Sequence, residues 1–238
     1  KIFSGKSIII CVPNHFELPF RIKENLEFLG FRVLQLSHKE GFTLEKKYLA
    51  LHFLNKIFKK DKTLKARKKA EFSEKNQINA LENISKADYA LIIRPDLLSE
   101  KTIKKIKEKA GKTIAYQWDG IEKFPEVKNY FNLFDSFFCF ENVESQPNIK
   151  SITNFYFDHL PPAHKEYNTE KPRLYFVGLY WKSREEKINR FIAEVSDLPV
   201  DLSIFIQYFK EPEKRNDKIK YIQNRISFEE NLKLVKDS

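Results

Sequence analysis

Asp119 is the residue around which chemistry is easiest to build. It follows the apolar run Thr113-Ile-Ala-Tyr-Gln-Trp118 and precedes Gly120, so it stands where a buried strand gives way to a turn. A carboxylate there, beside Trp118, suits a general base acting on a hydroxyl, since burial in a cleft raises a carboxylate's proton affinity. The same residue type also caps turns, here the one before Phe124-Pro125. His15, after Pro13-Asn14, is a rival base and the one histidine at a strand end, although a lone loop histidine equally serves a structural role. A third feature is Arg173-Leu-Tyr-Phe-Val-Gly178, an apolar strand ending in glycine. A glycine there lets backbone approach a phosphate, and Lys182 or Arg184, near the next helix start, neutralises it. With one glycine this is less than a nucleotide-binding fingerprint. No Walker motif, Gly-x-Ser-x-Gly elbow or His-Glu-x-x-His stretch is present.

These residues need strands to hold them at one edge. Ser7-Ile-Ile-Ile-Cys-Val12 reads as a strand buried on both faces, and the helix after it carries Ile22, Leu26 and Leu29 and stops at Gly30. Phe31–Leu36 is a second strand, which makes a βαβ opening. Residues 44–70 are helical in pattern, with Tyr48, Leu51, Leu54 and Phe58 along one stripe and a basic run from Lys56 to Lys69. Strands follow at Tyr89–Ile93 and Thr113–Trp118, separated by a helix that Ser99 caps and that ends near Gly111. The apolar stretch Phe134–Phe140 and a short strand Ile152–Phe157 complete the first unit.

Residues 158–172, with Pro161-Pro162 and Pro172, read as a hinge. Beyond it come the Arg173 strand, a helix from about Ser183 to Val195, strands at Val200–Phe209 and Lys220–Ile226, and a helix opened by the capping box Ser227-Phe-Glu-Glu230. The expectation is α/β: two Rossmann-like domains, at 1–165 and 171–238. The second is too short to bury a sheet on both faces and reads as interrupted. With no Met in the sequence, the chain reads as lacking its natural start. Ligands of open α/β sheets bind beyond the carboxyl ends of strands. That selects Asn14 and His15, Arg94 and Asp96, Trp118 and Asp119, and Glu141 in the first unit, and Gly178, Lys182 and Arg184 in the second.

Composition narrows the partners. With 43 Lys+Arg against 33 Asp+Glu the net charge is +10, which suits nucleic acid, an anionic membrane surface or phosphorylated substrates, and equally a solubilising surface. Cys11 and Cys139 sit in apolar strands, as buried free thiols do; a cytoplasmic location follows, with no metal ligand set. No apolar run approaches the ~20 residues of a membrane span. The basic segment 44–70 is either a solvated helix face or a patch that meets anionic head groups.

The segment Tyr116-Gln-Trp-Asp-Gly-Ile-Glu-Lys-Phe-Pro125, with Phe134-Asp135 and Phe140-Glu141-Asn142 after it, resembles a signature of bacterial lipopolysaccharide and capsule biosynthesis glycosyltransferases. The Tyr175-Phe-Val-Gly178 strand with Arg184 behind it, and the start Ile226-Ser-Phe-Glu-Glu-Asn-Leu of the last helix, are similar to the same pattern. The resemblance implies a GT-B fold. In it the first domain binds a glycolipid or oligosaccharide acceptor and the second a nucleotide-sugar, with no metal and no cofactor. It also implies that Asp119 faces the acceptor cleft and Arg184 the donor phosphates. Where family members have a second Phe-Asp pair, this chain has Phe140-Glu141. A donor-contacting stretch that follows the equivalent of Ser238 in that family is absent, so the fragment is expected to be impaired. A peripheral position on the inner membrane face fits this reading. The alternative is a non-catalytic α/β module that applies its basic helix to nucleic acid or an anionic membrane, nucleic acid being the less favoured. A nucleotide-dependent oxidoreductase is disfavoured, because no Gly-x-Gly-x-x-Gly follows the first strand.

Overall fold

The computed structural model describes residues 1–14, 17–36, 42–43, 45, 48–49, 53, 63–141, 143, 147–154, 157–160, 173–208, 216–224 and 226–236. The chain divides into two compact units, Lys1–Leu160 and Pro161–Ser238.

The first unit is built on six strands, β1 (Ser7–Cys11), β2 (Arg32–Gln35), β3 (Ala87–Ile93), β4 (Ala110–Gln117), β5 (Ser136–Cys139) and β6 (Ile149–Ser151). They pair in the order β2-β1-β3-β4-β5-β6, and every pairing is parallel. Parallel neighbours need crossovers, and α1 (Leu18–Leu29), α2 (Leu64–Glu82) and α3 (Glu100–Lys109) lie on them. A 3₁₀ stretch, Pro125–Leu133, links β4 to β5. All five residues of β1 are buried, as its unbroken Ile run requires for a strand covered on both faces.

The two faces of the sheet carry separate cores. Ile9, Cys11, Ala90, Ile92, Ala115, Phe137 and Cys139 pack with Leu81, Ile103, Ile106 and Phe131, from α2, α3 and the 3₁₀ stretch. Ile8, Ile10, Val12, Ile93 and Tyr116 pack with Ile22 of α1, with Leu26, Trp118, Phe138 and Phe157 around them. Helix boundaries follow local signals. Gly30 ends α1 at φ 109, its N–H reaching the carbonyls of Glu27 and Leu26. Ser99 caps α3 by accepting the Thr102 N–H at 3.1 Å.

The amino edge of the sheet is tied by side chains. Asp88 accepts the Ser7 N–H at 2.8 Å and the Ser7 hydroxyl at 3.0 Å, and Lys6 lies 3.0 Å from its other oxygen. The Ser7 N–H first, then Lys6, pull the Asp88 carboxyl down to about 2. Asp135 does the same one layer over, accepting the Thr113 N–H at 2.7 Å and its hydroxyl at 2.8 Å. Asp88 thus clips the start of β3 to that of β1, and Asp135 clips the start of β5 to the middle of β4.

Several expected boundaries move. Within the helix placed at 44–70, Tyr48, Leu49 and Phe53 are helical, Thr63 is not, and a helix from Leu64 continues past Ala70 to Glu82. Gln77 and Leu81 are buried there, so tertiary packing extends it beyond its polar-looking stretch. Leu51, Leu54, Phe58 and the lysines from Lys56 to Lys62 lie outside the described residues. Gly111, read as a helix stop, sits inside β4, where a Cβ would come within 2.9 Å of the Asp88 carbonyl oxygen. The strand expected at Ile152–Phe157 falls earlier, at Ile149–Ser151, because pairing with Phe137–Cys139 sets it.

The second unit has β7 (Arg173–Leu179), α4 (Lys182–Val195), β8 (Asp201–Gln207), β9 (Ile219–Ile222) and α5 (Phe228–Lys236). Its sheet runs β7-β8-β9, again parallel. Ile192, Ile204 and Ile206 are its buried centre. Strand β7 is an edge, and Leu174, Phe176 and Val177 are exposed along it. Ser227 caps α5 by accepting the Glu230 N–H at 3.1 Å.

Candidate functional site

In a sheet ordered β2-β1-β3, the chain leaves β1 to one side and later returns on the other, so the topological switch lies between the carboxyl ends of β1 and β3. Among the described residues, two non-glycine residues have positive φ, and both lie on the connections leaving those two ends. Glu17 (φ 60) stands before α1, and Arg94 (φ 59) follows β3 directly. A left-handed backbone costs a residue with a Cβ on the order of 1–2 kcal/mol. Arg94 also precedes Pro95, which disfavours anything but extended backbone.

What holds Arg94 there is its side chain. Its Nε and one terminal nitrogen donate to the two oxygens of Asp96 at 2.7 and 2.6 Å, a bidentate pair, and its other terminal nitrogen donates to Asp119 Oδ2. The guanidinium carbon lies 4.3 Å from the centre of the Phe124 ring. The Arg94 N–H donates to the Tyr116 carbonyl at 3.0 Å, fixing the β3 end to β4. The hydrogen bonds to Asp96 raise the guanidinium above its ordinary value. Asp96 and Arg94 are nearly buried, whereas the Asp119 side chain keeps 30% of its surface and its Oδ1 lies 3.8 Å from Lys123. One carboxylate, held by arginine on one oxygen and facing Lys123 with the other, is therefore presented at the edge with part of its side chain exposed.

Glu141 closes the far side of the same turn. Its Oε1 accepts the Ile121 N–H at 2.7 Å, and a Cβ on Gly120 would come within 3.1 Å of that oxygen, so the glycine leaves room for the contact. Its Oε2 is buried without a hydrogen-bond partner among the described residues. Gln117, the last residue of β4, is wholly buried, and among the described residues neither its amide nitrogen nor its oxygen has a hydrogen-bond partner. Sequence reading passed over Gln117, although a polar amide inside Ile-Ala-Tyr-Gln-Trp was a signal. Lys123 and Phe124 were also missed as partners of Asp119 and Arg94.

The remaining first-unit candidates lie on the same edge. Asn14 is exposed after β1 and lines a cavity with Glu17, Pro19, Phe20 and Gln35. Trp118 is half-buried against the core on the α1 side of the sheet. His15 lies outside the described residues. Asp135, which belongs to the family-like segment, is at the opposite, amino edge, where it serves Thr113.

In the second unit Lys182 and Arg184 stand exposed in the first turn of α4, and the Arg184 N–H reaches the Trp181 carbonyl at 2.8 Å. Cations at the positive end of a helix dipole are unfavourable unless an anion offsets them. Gly178 is inside β7 rather than after it, paired with Ile206, and the Phe176 ring occupies its open face, 2.9 Å from where a Cβ would be. The phosphate approach read into that glycine thus meets an aromatic ring. Among the described residues no group of three or more His, Cys, Asp or Glu side chains is placed to hold a metal ion, and no helix is long and apolar enough to cross a membrane.

No protein-family model matches the chain, and no curated protein does. Among solved structures, the glycotransferase of kitacinnamycin is similar at 12% identity and a TM-score of 0.42, over 93% of this chain and 72% of that one. At that identity and score the likeness decides nothing about the reaction.

Proposed function

We propose that this chain belongs to a glycosyltransferase that moves a sugar from a nucleotide-sugar to a hydroxyl of a lipopolysaccharide or capsule saccharide. The observation that carries the reading is the Arg94–Asp96–Asp119 cluster at the carboxyl ends of β3 and β4 in a parallel sheet. A base must be held in place and still meet its substrate. Arg94 anchors Asp119 through Oδ2, and Oδ1 is left to take the proton of an acceptor hydroxyl as its oxygen attacks the anomeric carbon. The bond from that carbon to the diphosphate breaks, and the nucleoside diphosphate leaves with the electron pair. Lys182 and Arg184, exposed on the first turn of α4, are cations of the kind that bind a diphosphate. The saccharide acceptor class rests on the resemblance of residues 116–142 to that family, and residues 44–70 would favour an anionic membrane surface.

The test is Asp119→Asn, followed by release of nucleoside diphosphate from a panel of nucleotide-sugars. Asparagine keeps an oxygen for Arg94 but takes no proton. Turnover should fall by roughly 10²–10⁴, the usual weight of a general base. Turnover equal to that of the unaltered chain would remove Asp119 from the reaction.

A further inference from the structure

The cavity at the carboxyl ends of β1 and β2 has a volume of about 490 Å³, within the ~300–1,000 Å³ of small-molecule sites. Its described walls are Asn14, Glu17, Pro19, Phe20 and Gln35. Three features give it a chemistry. Phe20 stands 53% exposed in the first turn of α1, far more than a ring in a packed core would be. Two amides and a carboxylate surround it, groups that accept and donate in a plane. And Glu17 is one of the two residues held with a left-handed backbone, a cost that persists where the surroundings over-determine the residue and that clusters at binding sites.

Charge decides against a phosphorylated occupant. Arg21 is the cation closest in sequence, with its guanidinium carbon 5.1 Å from the centre of the Phe20 ring, but its terminal nitrogens go to Glu17 at 3.4 Å and Glu24 at 3.0 Å. Among the described wall residues Glu17 is the one charged group, and it leaves them net negative, which repels an anion. A neutral ligand with one apolar face and a rim of hydroxyls matches what remains. The C–H face of a pyranose ring is weakly positive and sits on the negative face of an aromatic ring, while adjacent hydroxyls pair with amide and carboxylate oxygens.

We propose that this cavity binds one pyranose ring of a saccharide, its C–H face against Phe20 and its hydroxyls on Asn14, Glu17 and Gln35. The proposal rests on the glycosyl-transfer reading above for its place as the acceptor's subsite. Strands two apart in a sheet lie roughly 10 Å from one another, so β1 and β4 separate Asn14 from Asp119 by about the length of a disaccharide. The ring in the cavity is then not the one that is attacked; it is a neighbouring sugar of an oligosaccharide acceptor.

The test is saturation-transfer NMR on the chain with methyl β-glucoside, methyl β-galactoside and methyl α-mannoside, and with uridine monophosphate as an anionic aromatic probe, no donor being present. One glycoside should be saturated through its ring C–H protons. Phe20→Ala should weaken that binding about tenfold, the scale of a lost aromatic contact with its buried area. Phe28→Ala, an exposed ring elsewhere on α1, should leave it unchanged. The proposal is overturned if no glycoside is saturated, if Phe20→Ala binds as the unaltered chain does, or if the nucleotide is taken in preference at this site. Nucleotide-sugar turnover is measured separately. Turnover with no glycoside at Phe20 sinks the subsite and keeps the transferase, and a glycoside at Phe20 with no turnover of any donor by the full-length gene product does the reverse.

Discussion

Arg94 combines an unfavourable backbone with a demanding side chain, and the two can be separated by replacing it with alanine and with glycine. Both variants leave Asp96 nearly buried and facing Asp119 with no cation between them. Breaking a buried ion pair in this way costs about 3–5 kcal/mol, a large part of the ~5–15 kcal/mol that stabilises a domain. Alanine keeps the left-handed strain of φ 59, on the order of 1–2 kcal/mol. Glycine removes that strain, offset by roughly 0.4–1 kcal/mol of extra freedom in the unfolded chain. The glycine variant should thus be the more stable of the two by about 0.5–1 kcal/mol, an order opposite to that seen in regular structure. Urea unfolding followed by Trp118 fluorescence, in a Trp181→Phe background, reports this unit alone. Thermal midpoints should fall by roughly 6–20 °C, at ~2–4 °C per kcal/mol. A loss under about 1 kcal/mol would mean that the cluster is not an ion-pair network of this kind. Glycine no better than alanine would mean that the backbone at 94 is not held left-handed.

Two further outcomes concern the amino edge. The Asp88 carboxyl is held at about 2 in the folded chain, below its unfolded value, so its contribution is fully present above the ordinary carboxylate range and is lost as pH falls from about 4 toward 2. Asp88→Asn should flatten that part of an acid-unfolding curve, and an unchanged curve would show that the clip to Ser7 does not form. Gly111→Ala should cost about 1–3 kcal/mol by urea titration, because the new methyl meets the Asp88 carbonyl at 2.9 Å and backbone gives way poorly; a neutral result would place β3 and β4 farther apart at that point.

What the sequence disclosed was local. The buried Ile run of β1, the Gly30 stop, the Ser99 and Ser227 caps and the edge positions of Asn14, Arg94, Asp119 and Glu141 all depend on a few neighbouring residues. The α/β class with parallel sheets followed from their alternation. What escaped was tertiary. Arg94 and Asp119 are 25 residues apart and meet because β3 and β4 are adjacent, which no spacing announces. The extension of α2 to Glu82 depends on Gln77 and Leu81 finding a core to enter, and the strand position of Gly111 on the proximity of Asp88. The cavity at Phe20 needs the ends of two strands to be brought together before a phenylalanine in an amphipathic helix looks different from any other.

The pairing order also sets a timetable for folding. Ser7 must find Asp88, 81 residues later, before β1 has both its neighbours. Closing so long a loop ahead of the contacts that reward it is slow, and until then the most apolar strand of the chain has one bare edge. Strand β1 is therefore sealed well after it is made, and while the 81 residues from Ser7 to Asp88 emerge from the ribosome Ile8, Ile9 and Ile10 are a natural target for chaperones that bind exposed aliphatic segments.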